Sequence, residues 1–259
     1  MIIGVIIMND KLFSSFIKQA DEPFVGWDFS FISETGRMKS ELLSWSYGSI
    51  AATLVQSAKS MLDMGTGGGE FLSKLRPLPS TVYATEGYLP NVPIAKERLT
   101  PLGVKVVQID NDEILPFETG KFDLIINQHE SFSPKEVRRM ISKDGIFLTQ
   151  QVGGLDCIEI NEHLRVPINE EFIDWNLTLA LKGIQENNFE ILKGIEEFPI
   201  QRFYDIGALV YYLKAIPWQV PGFEISKFKD ELYTIHKIIE QIGYFDVKQH
   251  RFIIVAKAI

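Results

Sequence analysis

The residues most able to do chemistry lie in one run, Lys59-Ser60-Met61-Leu62-Asp63-Met64-Gly65-Thr66-Gly67-Gly68-Gly69-Glu70-Phe71-Leu72. An apolar strand tip ends in an acid. Glycines follow at alternate positions, and an amphipathic helix is expected from Gly69. Such a turn lets a ligand lie against bare backbone, where free N–H groups point outward at a helix start. The spacing discriminates between ligands. The dinucleotide fingerprint G-x-G-x-x-G needs a third glycine to pack helix on strand. Counted from Gly65, that place holds Glu70; counted from Gly67, it holds Leu72. What remains is acid-x-G-x-G-x-G, from Asp63 to Gly69.

This pattern resembles motif I of the class I S-adenosylmethionine-dependent methyltransferases. The resemblance implies that Asp63, Gly65, Thr66 and Gly67 border the cofactor. A ligand with a ribose diol also needs an acceptor pair, and one carboxylate can take both hydroxyls. Glu86 ends the next predicted strand, followed by Gly87, and family members place an acid there for the ribose. NAD sites place one at the same distance, so Glu86 alone does not discriminate. The segment Asp110-Asn111-Asp112-Glu113-Ile114-Leu115-Pro116-Phe117 looks like the family's D-A-E-x-L-P-F run beside adenine. Aligned on Leu115-Pro116-Phe117, Asn111 falls on the usual Asp and Asp112 on the usual small residue. The adenine N6 acceptor is therefore Asp110 or Asn111, with the backbone N–H of Asp112 facing N1. The run Phe122-Asp123-Leu124-Ile125-Ile126-Asn127-Gln128-His129-Glu130 also resembles the family. It implies Asn127 and Gln128 under the methionine part, with His129 and Glu130 toward the transferred methyl as catalytic candidates.

Around these motifs, short apolar strands alternate with helices. Ser60–Asp63, Thr81–Glu86, Val104–Asp110, Phe122–Gln128 and Gly145–Val152 read as strands. Gly69–Arg76, Pro93–Leu99 and a helix from Ser133-Pro134-Lys135-Glu136 lie between them, the last with a capping-box start. That alternation implies parallel β-α-β units in a doubly wound α/β sheet, with ligands beyond the strand ends at the switch in strand order. The expected fold is a seven-stranded, mostly parallel, Rossmann-like methyltransferase sheet with an antiparallel last strand and a helical lid. The last strand, Arg251–Ala256, should pair with a long strand Phe189–Gln201. Helices are expected at residues 10–20, Ser40–Ala58 with Ser40 as cap, Glu170–Asn187 capped by Asn169, Asp205–Ile216 and Ile225–Ile242. Residues 1–50 then form an N-terminal helical segment, and 51–259 the methyltransferase domain with an insertion at about 202–243.

The acceptor wall is expected from outside the core. Trp27, Trp45, Tyr47, Phe203, Tyr204, Tyr211, Tyr212 and Trp218 are concentrated in the N-terminal segment and the insertion; Trp45, Tyr204 and Trp218 are the substrate-binding candidates. These segments are expected to close over the strand ends and exclude water.

Composition sets outer limits. The chain has 259 residues, 46% hydrophobic and 23% charged, as in ordinary globular proteins, with a formal net charge of −8. That charge argues against a general affinity for nucleic acid. Lys135, Arg138, Arg139 and Lys143 form the densest basic cluster, read as the solvated face of a short helix. The single cysteine, Cys157, leaves no intrachain disulfide and no Cys-based metal site, consistent with a cytoplasmic setting. The apolar run Met1–Met8 is too short to span a bilayer and reads as a buried strand or helix-docking segment. Glu162-His163 reads as a surface turn, so no metal site is expected. N-P-P-Y-type amino methylation and a Pro-Cys nucleophile both lack their motifs. The reading is methyl transfer from S-adenosylmethionine to a small organic acceptor by in-line displacement. An RNA or protein methyltransferase, or a cofactor-binding regulatory protein without transferase activity, are the alternatives.

Overall fold

The computed structural model describes residues 10–24 and 28–259. The apolar N-terminal run and Trp27 lie outside the described residues. In chain order the elements are α1 (Lys11–Gln19), α2 (Ser30–Ser33), β1 (Met38–Ser40), α3 (Tyr47–Val55), β2 (Ser60–Met64), β3 (Thr81–Glu86), α4 (Asn91–Leu99), β4 (Lys105–Gln108), β5 (Phe122–Gln128), α5 (Pro134–Met140), β6 (Ile141–Val152), α6 (Ile158–Leu164), α7 (Leu177–Glu186), β7 (Phe189–Glu197), β8 (Ile200–Phe203), α8 (Ile206–Ala215), α9 (Lys229–Ile242), β9 (Phe245–Lys248) and β10 (Arg251–Ala258). They divide into two compact units. The first comprises residues 1–41, 157–171 and 199–249; the second comprises 42–156, 172–198 and 250–259.

The second unit holds a seven-stranded sheet in the order β4-β3-β2-β5-β6-β10-β7. The pairs β2–β3, β3–β4, β2–β5 and β5–β6 are parallel. β10 runs antiparallel between β6 and β7, as expected for the last strand. Side chains alternate between two cores, because successive strand residues face opposite sides. Leu62, Met64, Ile125, Phe252 and Ile254 join Val137 and Ile184 of α5 and α7. Met61, Leu124, Ile126, Ile253 and Val255 join Val55 and Leu99 of α3 and α4. Strand order reverses between β2 and β5, so their C-terminal ends flank the crevice where such sheets bind ligands.

Several boundaries differ from expectation. The helix expected from Ser40 begins at Tyr47, because Ser46 is the cap and its Oγ accepts from Ser49 N at 3.1 Å. The residues before it, Met38–Ser40, pair instead with β8. Gly69–Arg76 contains only a 3₁₀ turn at Leu72–Lys74. The helix expected from Glu170 starts at Leu177, capped by Asn176. Asn169 Oδ1 merely closes a local turn onto Glu171 N. Glu162-His163 lies within α6, not in a turn; His163 Nδ1 stands 2.8 Å from Glu159 O.

The basic cluster is not a purely solvated face either. Ser133 makes no side-chain cap, and Glu136 is buried. Its Oε1 accepts from Leu115 N at 2.7 Å, while Arg139 Nη1 donates to Phe117 O at 2.6 Å. Helix α5 thereby fixes the Leu115-Pro116-Phe117 segment that carries the loop after β4.

The first unit was not foreseen as a unit. Its three-stranded antiparallel sheet, β1-β8-β9, draws each strand from a different stretch of chain. The expected strand Phe189–Gln201 breaks at Phe198-Pro199, since proline cannot donate to a ladder. Its halves, β7 and β8, belong to different sheets. The core gathers Phe13, Phe203, Leu209, Tyr211, Tyr212 and Ile235. Phe203, Tyr211 and Tyr212 are therefore core residues. Asp205 caps α8 through Ala208 N at 2.8 Å and pairs with Arg37. Among the described residues no helix is long and apolar enough to cross a membrane.

Candidate functional site

The turn after β2 is built as its glycines require. Gly65, Gly67 and Gly69 have φ of +67°, +61° and +81°, a region that side-chain-bearing residues rarely enter. Backbone bonds lock it: Thr66 N donates to Thr85 O and Gly69 N to Thr66 O, both at 2.9 Å. A Cβ on Gly69 would stand 2.7 Å from Leu99 Cγ, so this glycine packs the turn on α4. The expected helix start is absent, yet the bare backbone remains.

Beneath the turn Asp63 is fully enclosed. Burial pushes its carboxyl up to about 7, and the Glu86 charge adds to it. Tyr47, raised by burial and by Asp63, packs its ring on Phe71 with centroids 5.2 Å apart. The Tyr47 hydroxyl and Thr66 Oγ1 are buried without a hydrogen-bond partner.

Glu86 closes β3. Its Oε1 accepts from Tyr88 N at 2.7 Å. Burial raises its carboxyl, opposed by the N–H groups of Tyr88, Gly67 and Gly87. A carboxylate offers about four acceptor positions, so the pinned group keeps capacity for a diol. Beside it is a cavity of about 400 Å³ lined by Gly87, Ile109, Asp110, Asp112, Glu130 and Phe132, among others. Asn111 Oδ1 accepts from Glu113 N at 3.0 Å, whereas Asp110 is exposed. The Ser131 hydroxyl donates to Asp112 Oδ2, and Asp112 Oδ1 is buried and unpartnered.

The end of β5 supplies the third side. Asn127 is buried. Its Oδ1 accepts from Thr149 Oγ1 at 2.8 Å and from Gln151 Nε2 at 2.6 Å, so its side chain braces the sheet. Gln128 is half-buried. His129 follows with φ +61°. Trp45, expected at the acceptor wall, is buried, and its indole N–H donates to Gln150 Oε1 at 2.7 Å. That bond fixes the orientation of the Gln150 amide, whose Nε2 then donates to His129 Nε2 at 3.0 Å. The imidazole therefore carries its proton on Nδ1, with the Nε2 lone pair engaged. Packing around the ring and the Arg251 charge both depress it, to about 3. The residue itself is exposed, which limits the first effect, but the second acts in the same direction. His129 is neutral near pH 7, and its engaged lone pair does not suit the role of general base.

Glu130 lies on the glycine turn, where a methyl group added to Gly65 would overlap its Cβ and Cγ. Burial, then Asp112 and Glu86, push its carboxyl up to about 7.

The second unit thus brings together Asp63, Gly65–Gly67, Glu86, Gly87, Asp110–Asp112, Asn127, Gln128, His129 and Glu130. Tyr204 and Trp218 belong to the first unit, where both are exposed.

Residues 62–149 match the family model described as a methyltransferase domain. This segment runs from within β2 into β6 and includes Asp63 to Gly69, Glu86, Gly87, Asp110 to Asp112 and Asn127 to Glu130. The seven-stranded, mostly parallel sheet of the second unit has the Rossmann-like methyltransferase fold. Solved structures agree in fold. A provisionally assigned methyltransferase from Bacillus halodurans C-125 superposes with a TM-score of 0.59 at 16% identity, over 81% of this chain and 96% of that one. The [4+2]-cyclase SpnF does so at 0.51 and 14%, over 82% and 80%. A geranyl diphosphate methyltransferase in complex with GPP and sinefungin does so at 0.50 and 15%, over 82% and 76%. At such identities the likeness is one of fold. No curated protein sequence matches the chain.

Sequence reasoning passed over Gln150, Ser131 and Glu136, which position the methyltransferase domain's site residues through side-chain bonds from other elements. Only Glu136 carried a signal, and it was that of a capping box.

Proposed function

We propose that the methyltransferase domain binds S-adenosylmethionine and moves its methyl group to a small organic acceptor. The observation that carries this reading is the left-handed glycine turn of Gly65, Gly67 and Gly69 at the switch in strand order, with Glu86 across from it. The residues fit the cofactor: a bare backbone cradle, a pinned acid for the ribose, and buried polar atoms on Tyr47, Thr66 and Asp112 that lack partners. When bound, the cofactor supplies an electrophilic methyl carbon on a sulfonium. Glu86 would accept the ribose hydroxyls, and the side-chain-free backbone of the turn would border the methionine part. Of the two adenine candidates Asp110 is favoured, because Asn111 already spends an acceptor position on Glu113 N. The domain's work is chiefly orientation and exclusion of water, which can lower a barrier by several kcal/mol, about 7–11 in well-oriented model reactions. No base is needed for an acceptor that is a neutral amine or an anion.

The cavity wall carries Asp110, Asp112, Glu113 and Glu130. An acidic wall repels phosphates, which favours a small acceptor over RNA. A second reading, cofactor binding without methyl transfer, draws on the engaged lone pair of His129 and on the cyclase of like fold.

Calorimetry tests the first step. S-adenosylmethionine and S-adenosylhomocysteine are expected to bind and NADH is not; tight NADH binding with no S-adenosylhomocysteine signal would overturn the reading. A screen of small acceptors with methyl-labelled cofactor then separates the transferase from a binding protein.

A further inference from the structure

The glycine turn is not bare along its whole length. The Glu130 side chain lies directly on Gly65, with Oε2 2.8 Å from the point a Gly65 Cβ would occupy. Glu130 comes from the loop after β5, and three other carboxyls reach the same place from separate elements. Asp63 lies at the end of β2, Glu86 at the end of β3 and Asp112 on the loop after β4. Glu130 feels the charges of Asp112 and Glu86, and Asp63 feels that of Glu86. Among the described residues no ion pair involves any of the four. The charge of Glu113 also acts on Asp112, and Asp110 lines the same cavity; hydroxyls and amides face the cluster too: Ser131 on Asp112, Thr66 and Tyr47 beside Asp63, and the N–H groups of Gly67, Gly87 and Tyr88 on Glu86. The adjacent imidazole, His129, is held neutral by its packing and by Arg251.

We propose that Glu130, lying on Gly65 among three other carboxyls, makes the site select the positively charged methyl donor over its demethylated product. The proposal rests on the cofactor reading above. S-adenosylmethionine and S-adenosylhomocysteine share adenine, ribose and amino acid, and differ by one methyl and one positive charge at sulfur. A cluster of carboxyls with no cation is short of positive charge, and the donor brings it. With its carboxyl at about 7, Glu130 is protonated in much of the population near neutrality. A nearby sulfonium lowers that value and a proton leaves; the product, neutral at sulfur, does not have this effect. Donor affinity therefore falls as pH drops below about 7 and is level above it, because the proton must first be removed. After transfer the positive charge is gone, Glu130 regains its proton and the product is held less tightly.

The test is calorimetry on the full chain with both ligands from about pH 5.5 to 8, in two buffers of different ionisation enthalpy. Donor affinity is expected to rise about tenfold from pH 5.5 to 7.5 with release of protons, and product affinity to change less than about twofold. Asp63 titrates in the same range, so the assignment to Glu130 comes from Glu130→Gln, which keeps the shape. That variant should bind both ligands with a flattened donor profile and a narrower preference. Equal pH profiles for the two ligands in the native chain would overturn the proposal, and so would a full selective rise in Glu130→Gln. If that variant fails to fold, Glu130→Ala makes the same comparison. If neither ligand binds at any pH, the cofactor reading falls and this inference with it.

Discussion

Replacing Glu86 by alanine is expected to weaken S-adenosylmethionine binding at least about tenfold while the methyltransferase domain stays folded. The two hydrogen bonds lost are charge-assisted, each worth roughly 1.5–3 kcal/mol net, with water recovering part. The carboxylate is well placed to give that much. It is buried, one oxygen is fixed by Tyr88 N at 2.7 Å, and no rotamer search precedes binding. Glu86→Gln keeps the shape and one acceptor, so it should fall between alanine and native. Because the Glu86 charge raises both Asp63 and Glu130, either variant should also lower the pH at which those carboxyls titrate. Calorimetry with thermal unfolding as a control reads both effects. Unchanged affinity in Glu86→Ala means that another group holds the ribose.

A larger loss of stability is expected in the first unit from Asp205→Ala. Arg37 grips Asp205 through two bonds, Nε to Oδ2 at 2.8 Å and Nη2 to Oδ1 at 2.7 Å. Both side chains are nearly buried, 15% and 8% exposed. Removing the acid leaves a guanidinium without its partner in a low-dielectric site, which costs about 3–5 kcal/mol. It also uncaps α8, at a cost of about 1 kcal/mol. Asp205→Asn keeps a capping oxygen and should lose less. Urea unfolding compares the three chains. If Asp205→Ala lies within about 0.5 kcal/mol of native, as an exposed surface change would, the pair is not the anchor described here.

What was legible in the sequence was whatever is written locally. β5 was found residue for residue around its apolar centre Leu124-Ile125-Ile126, and β3 up to its terminal Glu86. The glycine turn was legible because three φ values above zero require glycine. The first unit was not legible. β1, β8 and β9 have three or four residues each, too short for a period to show, and their partners lie far away in sequence. The Ser40 start failed because two candidate caps precede one helix, and pairing with β8 claimed the first. Within the site, the residue types announced a cofactor, but their second partners did not. Nothing in Trp45 and Gln150, 105 positions apart, reveals that one sets the tautomer of His129. Nor does Glu130 reveal that it folds back onto Gly65. Those facts exist only once β2, β5 and β6 are side by side.

The place of β10 has a consequence for how the chain is made. Among the described residues β7 pairs with β10 alone, and β10 also supplies the outer partner of β6. Some fifty residues, including α8 and α9, separate β7 from β10 along the chain. At a synthesis rate of about 5–20 residues per second, β7 waits several seconds on the ribosome before its partner exists. During that time its half-apolar ladder is open on both sides, and the outer side of β6 is an unpaired edge. Such edges are the sites where nascent chains stick to one another. The four charged residues Glu190, Lys193, Glu196 and Glu197, interspersed with Ile191 and Ile195 along β7, keep the waiting strand charged, so vectorial synthesis and solubility are reconciled within one segment.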